Sequence, residues 1–340
     1  MTVGLKEGGK SYMAIFNKYV QIGQPAANAP ANEIAMVKVL DKYPDVVGVF
    51  EDLGGPGMDW LKKNAPERIV ECGIAEANAA VIAGALAAEG FRPFIHGFTF
   101  ACIGRAYNQI RQSVLVDHFN VKFLGRESWG ELGVSHQAVE GIGSLRALPN
   151  LVIINAADFV ETEKAFIAMA DYIGPVFFRL ENSAPLKIFT EDYPFEIGKA
   201  YTIKDGKDAT IIATGYMVTQ AIKAIDILEK EGLDVGIIDM STLKPLDEEA
   251  IIKAAEQTRA IVTAEVGSVI GGLGEGVAAV LAENAPAALV RVGIEDEFGQ
   301  SAKPGTNDLY GHFAMRPEDV VISVKESIAK KDKFKLRQEL

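Results

Sequence analysis

Short apolar runs alternate with helical patterns along most of this 340-residue chain. Apolar runs bounded by turn residues are typical of buried strands, and the segments between them have helical spacing. Such alternation predicts an α/β fold in which helices cover both faces of largely parallel sheets. The predicted strands are residues 46–50, 68–72, 93–97, 121–124, 151–155 and 176–180, and then 209–213, 234–239, 260–264 and 288–292.

The length predicts more than one hydrophobic core, because single cores stop growing beyond about 250–300 residues. With 49% hydrophobic residues, the chain can fill two cores. Residues 183–207 have poor periodicity and include Pro185 and Pro194, so we interpret them as a linker. We therefore predict two doubly wound domains, residues 31–182 and 208–335, after an N-terminal arm at residues 1–30.

The charge and the cysteine content bear on partners and compartment. A formal net charge of -12 argues against binding to nucleic acid or to an acidic membrane surface. The two cysteines, Cys72 and Cys102, make no disulfide framework, which favours a reducing cytoplasm. The first residues lack a signal-peptide pattern, and the apolar run at 79–88 is too short to cross a bilayer. We expect a cytoplasmic protein.

Glu76 lies between the predicted strand at 68–72 and a helix that begins with small apolar residues. A carboxyl group at the start of such a helix is largely desolvated, which favours its protonated form. A carboxyl of this kind suits the activation of a bound cofactor. The alternative is an ordinary first-turn glutamate that complements the helix dipole.

Two further blocks indicate which chemistry Glu76 serves. Residues 130–137 read Gly-Glu-Leu-Gly-Val-Ser-His-Gln, and residues 144–150 read Ser-Leu-Arg-Ala-Leu-Pro-Asn. Together with residues 73–78, these blocks resemble the transketolase family of thiamine diphosphate enzymes. The resemblance is to the pyrimidine-binding and C-terminal domains of that family, and it extends from about residue 31 to residue 325.

The resemblance implies a set of cofactor-binding residues. Glu76 would bind the pyrimidine ring nitrogen and favour the imino tautomer. Phe98 matches the first aromatic residue of the ring bed, and Phe100 stands in for the second, which falls on Ala101 here. Asp52 matches an acidic residue near the cofactor. The alternatives are core aromatics and a turn aspartate.

The resemblance also implies substrate-binding residues. His136 would orient a substrate hydroxyl or transfer protons, although a lone histidine is often structural. Leu132 stands where the family often has an aspartate that binds substrate hydroxyls. A changed substrate preference is therefore expected.

The arginines that bind sugar phosphates in the family are not evident. Arg179 is present, but Asn182 occupies the more informative position. Arg105 and Arg126 are left as candidate anion ligands.

The sequence contains no Gly-Asp-Gly followed about thirty residues later by Asn-Asn, the pair with which this superfamily binds Mg²⁺ and the diphosphate. No metal ligand is therefore assigned in this chain. The resemblance implies a partner, an N-terminal transketolase subunit that binds most of the metal and diphosphate, in a heterotetramer. The implied reaction transfers a two-carbon ketol unit from a ketose to an aldose.

Two alternatives stay open. The β subunit of a 2-oxo acid dehydrogenase has the same architecture, although residues 135–137, Ser-His-Gln, favour transketolase. A non-catalytic partner subunit is the other alternative, because the chain departs from the family pattern at Leu132 and Ala101.

Overall fold

The structure is a computed structural model that describes residues 29–99, 104–127, 133–181, 185–299 and 309–338. Its strands are β1 Val46–Phe50, β2 Ile69–Glu71, β3 Arg92–Phe98, β4 Lys122–Arg126, β5 Val152–Ile154, β6 Val176–Leu180, β7 Tyr201–Lys204, β8 Ala209–Ala213, β9 Val235–Asp239, β10 Thr242–Lys244, β11 Ala260–Ser268 and β12 Ala288–Ile294. Its helices are α1 Ala29–Lys42, α2 Met58–Asn64, α3 Glu76–Ala88, α4 Tyr107–Ile110, α5 Gly141–Arg146, α6 Phe159–Asp171, α7 Tyr216–Lys230, α8 Glu248–Thr258, α9 Leu273–Asn284, α10 Leu309–His312 and α11 Pro317–Gln338.

Within these residues the strands form two sheets. The first has seven strands in the order β10-β5-β6-β4-β3-β1-β2, and the second has five in the order β12-β11-β8-β9-β7. All neighbouring pairs are parallel except β10 with β5 and β7 with β9. Central strands such as β1, β6 and β8 are buried along their whole length, as expected where helices cover both faces of a parallel sheet.

Strand β10 belongs by sequence to the second half of the chain but completes the edge of the first sheet. It pairs antiparallel with β5, through Thr242 opposite Ile154 and Lys244 opposite Ile153. The Lys244 ammonium also donates to the carbonyl oxygens of Arg146 and Leu148, just before β5. The two halves therefore share a sheet as well as a packed interface.

The segment between β6 and β7 is tied to α6 by buried polar contacts. Asp158 caps α6 by accepting from the Glu161 amide, and it also accepts from the amides of Ile188 and Phe189. The Tyr193 hydroxyl donates to Oε1 of Glu161 at 2.6 Å. Because these groups are buried, each unmade hydrogen bond would cost about 1–3 kcal/mol, so the segment is fixed against the first domain.

The predicted α/β class, with two doubly wound sheets, is confirmed. The predicted strands in both halves coincide with observed strands, with ends that differ by a few residues. Strands β7 and β10 and helix α2 were not predicted. Strand β7 lies inside the residues 183–207 that were interpreted as a linker, and it joins the second sheet. Thr242–Lys244 is too short to carry a period, and its partner strand lies in the other half of the chain.

Candidate active site

The candidate residues lie at the carboxyl ends of four adjacent parallel strands. In the sheet order β4-β3-β1-β2, Arg126 ends β4, Phe98 ends β3, Asp52 follows β1, and Glu76 follows β2. His136 lies in a 3₁₀ turn, Val134–His136, after β4. Ligands of open α/β sheets bind at the carboxyl ends of strands. The topology therefore brings residues that are far apart in sequence to one edge of the sheet.

Glu76 is the first residue of α3, and only 7% of its surface is exposed. Its Oε1 accepts a hydrogen bond from Nη1 of Arg105 at 2.7 Å, and 57% of the Arg105 side chain is exposed. The small residues of α3 bring the helix close to its neighbours: a Cβ on Gly84 would lie 2.2 Å from the carbonyl oxygen of Ser113. Arg105 takes one of the two carboxylate oxygens, so Glu76 can offer the other to a heterocyclic nitrogen.

Phe98, His136 and Arg126 form a contact cluster. The rings of Phe98 and His136 meet edge to face, with centroids 5.4 Å apart and an interplanar angle of 88°. The Arg126 guanidinium lies 5.7 Å from the centroid of Phe98, within cation–π range. Nδ1 of His136 lies 2.9 Å from the Ser135 hydroxyl. The Phe98 ring thus contacts both an imidazole and a cation at this edge of the sheet.

Asp52 adopts a left-handed conformation with φ of 56°. Oε1 of Glu71 accepts from the Asp52 amide at 2.8 Å and from the Gly73 amide at 3.0 Å. The Glu71 carboxylate therefore fixes the turns that leave β1 and β2, and with them the approach to Glu76. The predicted cofactor role of Asp52 stays a prediction.

Sequence reasoning missed Glu51, which is the residue after β1 and is 4% exposed. Burial, together with the charges of Glu76 and Glu71, raises the pKa of Glu51 to about 8. Glu51 therefore carries a proton at neutral pH beside the predicted cofactor acid. The available signal was a glutamate directly after a wholly apolar strand, a position where a carboxylate has little access to water.

A cavity of about 280 Å³ opens at the same edge of the sheet. Its lining residues are Asn32, Glu33, Gly54, Gly55, Pro56, Arg126, Leu180 and Glu181. Among these described residues one side chain is cationic and two are carboxylates. Oδ1 of Asn32 is buried and has no hydrogen-bond partner within the described part of the chain. The lining therefore favours a polar ligand with hydroxyl groups, with one cation for an anionic group.

Arg179, one possible phosphate ligand, is committed elsewhere. It is buried and donates to Glu127 and Glu181 at 3.2 Å each, and to the carbonyl oxygen of Val266 at 2.6 Å. Glu181 also accepts from the Tyr216 amide at 2.9 Å. The Arg179 guanidinium therefore serves as an internal link, and Arg126 is the arginine that lines the cavity.

Two predicted residues, Phe100 and Leu132, lie outside the described residues. Within the described ranges, no three or more His, Cys, Asp or Glu side chains form a group that could hold a metal ion. In the same ranges, no helix is both long and apolar enough to cross a membrane.

Comparison with known proteins identifies the family. Residues 24–185 match the family described as "Transketolase, pyrimidine binding domain", and residues 198–320 match "Transketolase, C-terminal domain". The chain belongs to the transketolase family. That family depends on thiamine diphosphate, and residues of the pyrimidine-binding domain include the whole candidate site.

Several relatives are separate transketolase subunits. The chain is 36% identical over 302 residues to a putative transketolase C-terminal section of Methanocaldococcus jannaschii, covering 87% of this chain and 94% of the relative. It is 36% identical over 301 residues to a 6-deoxy-6-sulfo-D-fructose transketolase subunit of a Clostridium species, covering 87% and 93%. It is 34% identical over 291 residues to one subunit of an apulose-4-phosphate transketolase of Phocaeicola vulgatus, covering 84% and 92%.

One solved structure matches this chain over most of the length of both proteins. A split-gene transketolase, described as an inactive β4 tetramer, superposes with a TM-score of 0.82 at 35% identity, covering 90% of this chain and 99% of the other. The predicted resemblance to a split transketolase subunit is therefore confirmed. The chain is a transketolase-type subunit, and the 2-oxo acid dehydrogenase alternative is less favoured.

The residues present fit the pyrimidine half of thiamine diphosphate. A buried carboxylate at a helix start, Glu76, suits a ring nitrogen, and the half-buried ring of Phe98 offers an apolar surface. Among the described residues, this transketolase site offers no comparable set of donors for a diphosphate.

The raised pKa of Glu51 gives a prediction about stability. The unfolded glutamate has a pKa near 4.5 and the folded one about 8, so between these values only the folded chain keeps the proton. The contribution of Glu51 to folding is thus complete below pH 4.5 and is lost as pH rises to about 8. Glu51→Gln cannot ionise, and we expect its advantage over the unaltered chain to grow across this window. One pKa unit corresponds to about 1.4 kcal/mol, so the change is on the order of a few kcal/mol.

Urea unfolding of the two chains at pH 5, 7 and 9 measures this difference. Glu67→Gln, at an exposed carboxylate, is the matched control and should show no such trend. A free-energy difference between Glu51→Gln and the unaltered chain that stays constant with pH would contradict the assignment.

Proposed function

We propose that this chain is the C-terminal subunit of a thiamine diphosphate-dependent transketolase that transfers a two-carbon ketol unit from a ketose to an aldose. The observation that carries the proposal is the grouping of Glu76, Phe98 and His136 at the carboxyl ends of adjacent strands in a transketolase-family chain. Glu76 and Phe98 suit the cofactor, and His136 beside Phe98 suits the substrate.

Glu76 holds a proton at the pyrimidine ring nitrogen. Its burial at the start of α3 keeps competing water away, and Arg105 fixes its orientation through Oε1. When bound, thiamine diphosphate would supply the carbanion chemistry. Phe98 would hold the aminopyrimidine ring, and Asp52 lies at the end of the neighbouring strand.

His136 orients a substrate hydroxyl and moves a proton as the carbon–carbon bond breaks and forms. The edge of its ring against Phe98 and the Ser135 hydroxyl at Nδ1 hold the imidazole plane. An imidazole suits this role because it exchanges protons near neutral pH.

A partner subunit supplies the Mg²⁺ and diphosphate site, and we propose a heterotetramer with an N-terminal transketolase subunit in the cytoplasm. The absence of the Gly-Asp-Gly and Asn-Asn pair from the sequence supports this. The outward face of α3 also supports it, because Val81 is 44% exposed and Ile74, just before the helix, is 72% exposed. An apolar face beside Glu76 suits a protein partner that closes over the cofactor.

The proposed assembly with a partner subunit predicts how this chain behaves on its own. The isolated chain should bind thiamine diphosphate weakly and turn over no sugar, since it lacks the groups that bind the diphosphate. Addition of the N-terminal subunit should restore tight, Mg²⁺-dependent binding and activity. Isothermal titration of the cofactor into each chain and into the mixture tests this. Tight, Mg²⁺-dependent binding to this chain alone would refute it.

Glu76→Gln should remove activity from the assembled enzyme and leave the fold intact. A glutamate at a helix start contributes about 0.3–1 kcal/mol through the dipole, whereas an acid–base role is worth roughly 10²–10⁴-fold in rate. We expect kcat to fall on the order of 10²-fold or more. Glu89→Gln, just beyond the exposed end of α3, is the control and should match the unaltered enzyme. A Glu76→Gln enzyme within a few-fold of the unaltered one would contradict the role.

The substrate is proposed to differ from the common pentose phosphates. Leu132 replaces a hydroxyl-binding aspartate, and of the two arginines nearest the strand ends, Arg179 is buried in ion pairs while Arg126 lines the cavity. Two relatives are named for unusual sugars, 6-deoxy-6-sulfo-D-fructose and apulose 4-phosphate. We therefore propose a ketose with an uncommon terminal group, bound by Arg126.

This proposal predicts a ranking of substrates. The assembled enzyme should use xylulose 5-phosphate and ribose 5-phosphate poorly, and Leu132→Asp should improve that pair. Arg126→Gln should lower kcat/KM roughly 10- to 100-fold for anionic sugars, because a hydrogen bond to a charged group is worth about 1.5–3 kcal/mol. Neutral sugars should be unaffected, and Arg111→Gln on the helix after Arg105 is the matched control.

A kinetic panel of ketoses and aldoses with and without anionic groups supplies the measurement. The substrate proposal is wrong if the unaltered pair uses the common pentose phosphates with a kcat/KM near the middle of the roughly 10⁴–10⁸ M⁻¹s⁻¹ range of enzymes. Decarboxylation of 2-oxo acids by the pair would favour the dehydrogenase alternative, and cofactor binding without any turnover would favour a non-catalytic subunit.

A further inference from the structure

The segment that follows His136 lies along the second domain. We define this contact, the domain seam, as residues 137–146 against residues 266–272. The amide of Ser268 donates to the carbonyl oxygen of Val139 at 2.6 Å. A Cβ on Gly143 would lie 2.7 Å from the carbonyl oxygen of Ile270, so the two backbones are in direct contact there.

Arg146 closes the far end of the seam. Its Nη1 donates to the carbonyl oxygen of Gly271 at 2.8 Å and also to that of Gly272. The next two amides of the same turn, Leu273 and Gly274, donate to the Glu265 carboxylate at 2.8 Å each. The carbonyl groups of this turn therefore accept hydrogen bonds from a cation of the first domain, Arg146. The amides of the turn donate to an anion of the second domain, Glu265.

The near end of the seam is fixed by a second arginine. The Glu127 carboxylate accepts from the amide of Ala138 and from Arg179, and Arg179 donates to the carbonyl oxygen of Val266 at 2.6 Å. Ala138 is two residues after His136. The Glu127–Arg179 pair therefore links Ala138 to the second domain, and direct contacts extend from Val139 to Arg146.

The His136 turn has a ring contact and main-chain hydrogen bonds of its own. The His136 ring meets the edge of Phe98, and the amides of His136 and Gln137 donate to the carbonyl oxygens of Gly133 and Val134. The seam supports the loop on its carboxyl side, from Val139 to Arg146. A shift of about 1 Å in a catalytic group can cost on the order of 10²-fold in rate.

We propose that the C-terminal domain positions His136 through the seam, and that Arg146 is a positioning residue for the transfer reaction. This inference rests on the proposed role of His136 in substrate binding. It gives the second domain a part in catalysis without placing any of its side chains on the substrate. A purely structural seam is the competing explanation, so the test needs a readout that stability alone does not move.

The test compares Arg146→Lys and Arg146→Gln with Tyr193→Phe. Tyr193→Phe removes a different buried hydrogen bond, the one to Glu161 on α6, and serves as the stability control, with the unfolding free energy of each variant measured alongside. In the assembled enzyme we expect Arg146→Gln to lower kcat/KM for the sugar on the order of 10²-fold, with cofactor affinity within a few-fold of normal. Arg146→Lys should be intermediate, because an ammonium lacks the fork of the guanidinium. Tyr193→Phe should stay within a few-fold of normal.

The second arm uses the full chain alone and needs no activity. The sequence has four histidines, so the ring signals of ¹³C-labelled histidine can be resolved, and His136→Asn assigns that of His136. Arg146→Gln should shift and broaden the His136 signal and change its pH dependence, and should leave that of His118 in place. An unchanged His136 signal in folded Arg146→Gln would overturn the inference, as would equal losses of kcat/KM in Arg146→Gln and Tyr193→Phe. If the pair shows no sugar transfer at all, the proposed function fails, and the NMR arm alone decides whether the seam positions the loop.

Discussion

One buried guanidinium, that of Arg179, links the two domains of this subunit. Arg179, in a central strand of the first sheet, pairs with Glu127 and Glu181 and donates to the main chain of Val266 in the second domain. Removing one partner of such a buried pair leaves an uncompensated charge, which typically costs about 3–5 kcal/mol. Glu181 in turn receives the amide of Tyr216 at the start of α7. The same charge network therefore links β4, β6, the second sheet and a helix of the second domain.

The candidate site has three glutamates around the ends of β1 and β2 and a cation, Arg126, at the end of β4. Glu51, Glu71 and Glu76 lie around the ends of β1 and β2, and each is stabilised differently. Glu51 carries a proton, Glu71 accepts from two backbone amides, and Glu76 accepts from Arg105. Arg126 lies on the other side of Phe98, two strands away from β1. In the sheet order, the glutamates at β1 and β2 are therefore separated by strand β3 from Arg126, the candidate ligand for an anionic group.

The sequence was sufficient for the α/β class and for most strands, because a buried parallel strand is a continuous apolar run wherever it occurs. The family motifs also predict that Glu76, Phe98 and His136 serve one site; this stays a prediction, and the structure brings the rings of Phe98 and His136 into contact. The sequence did not reveal that Arg179 is an internal ion pair, because its two carboxylates are 52 and 2 residues away and only the sheet register brings them together. Glu51 was missed although it directly follows an apolar strand: burial is the main cause of its raised pKa, and the charges of Glu76 and Glu71, which add to it, come from the neighbouring strand end.

Strand β10 has a consequence for the modularity of the chain. It covers the outer edge of β5, and an uncovered edge strand of a parallel sheet is a template for unwanted pairing with other chains. The first half of the chain, separated from the second, would present that bare edge together with the unpaired carbonyl groups near Leu148. Recombination that exchanged either half for an unrelated domain would remove the protection as well as the interface. The two domains should therefore be kept together when the gene recombines, although each contains a sheet of its own.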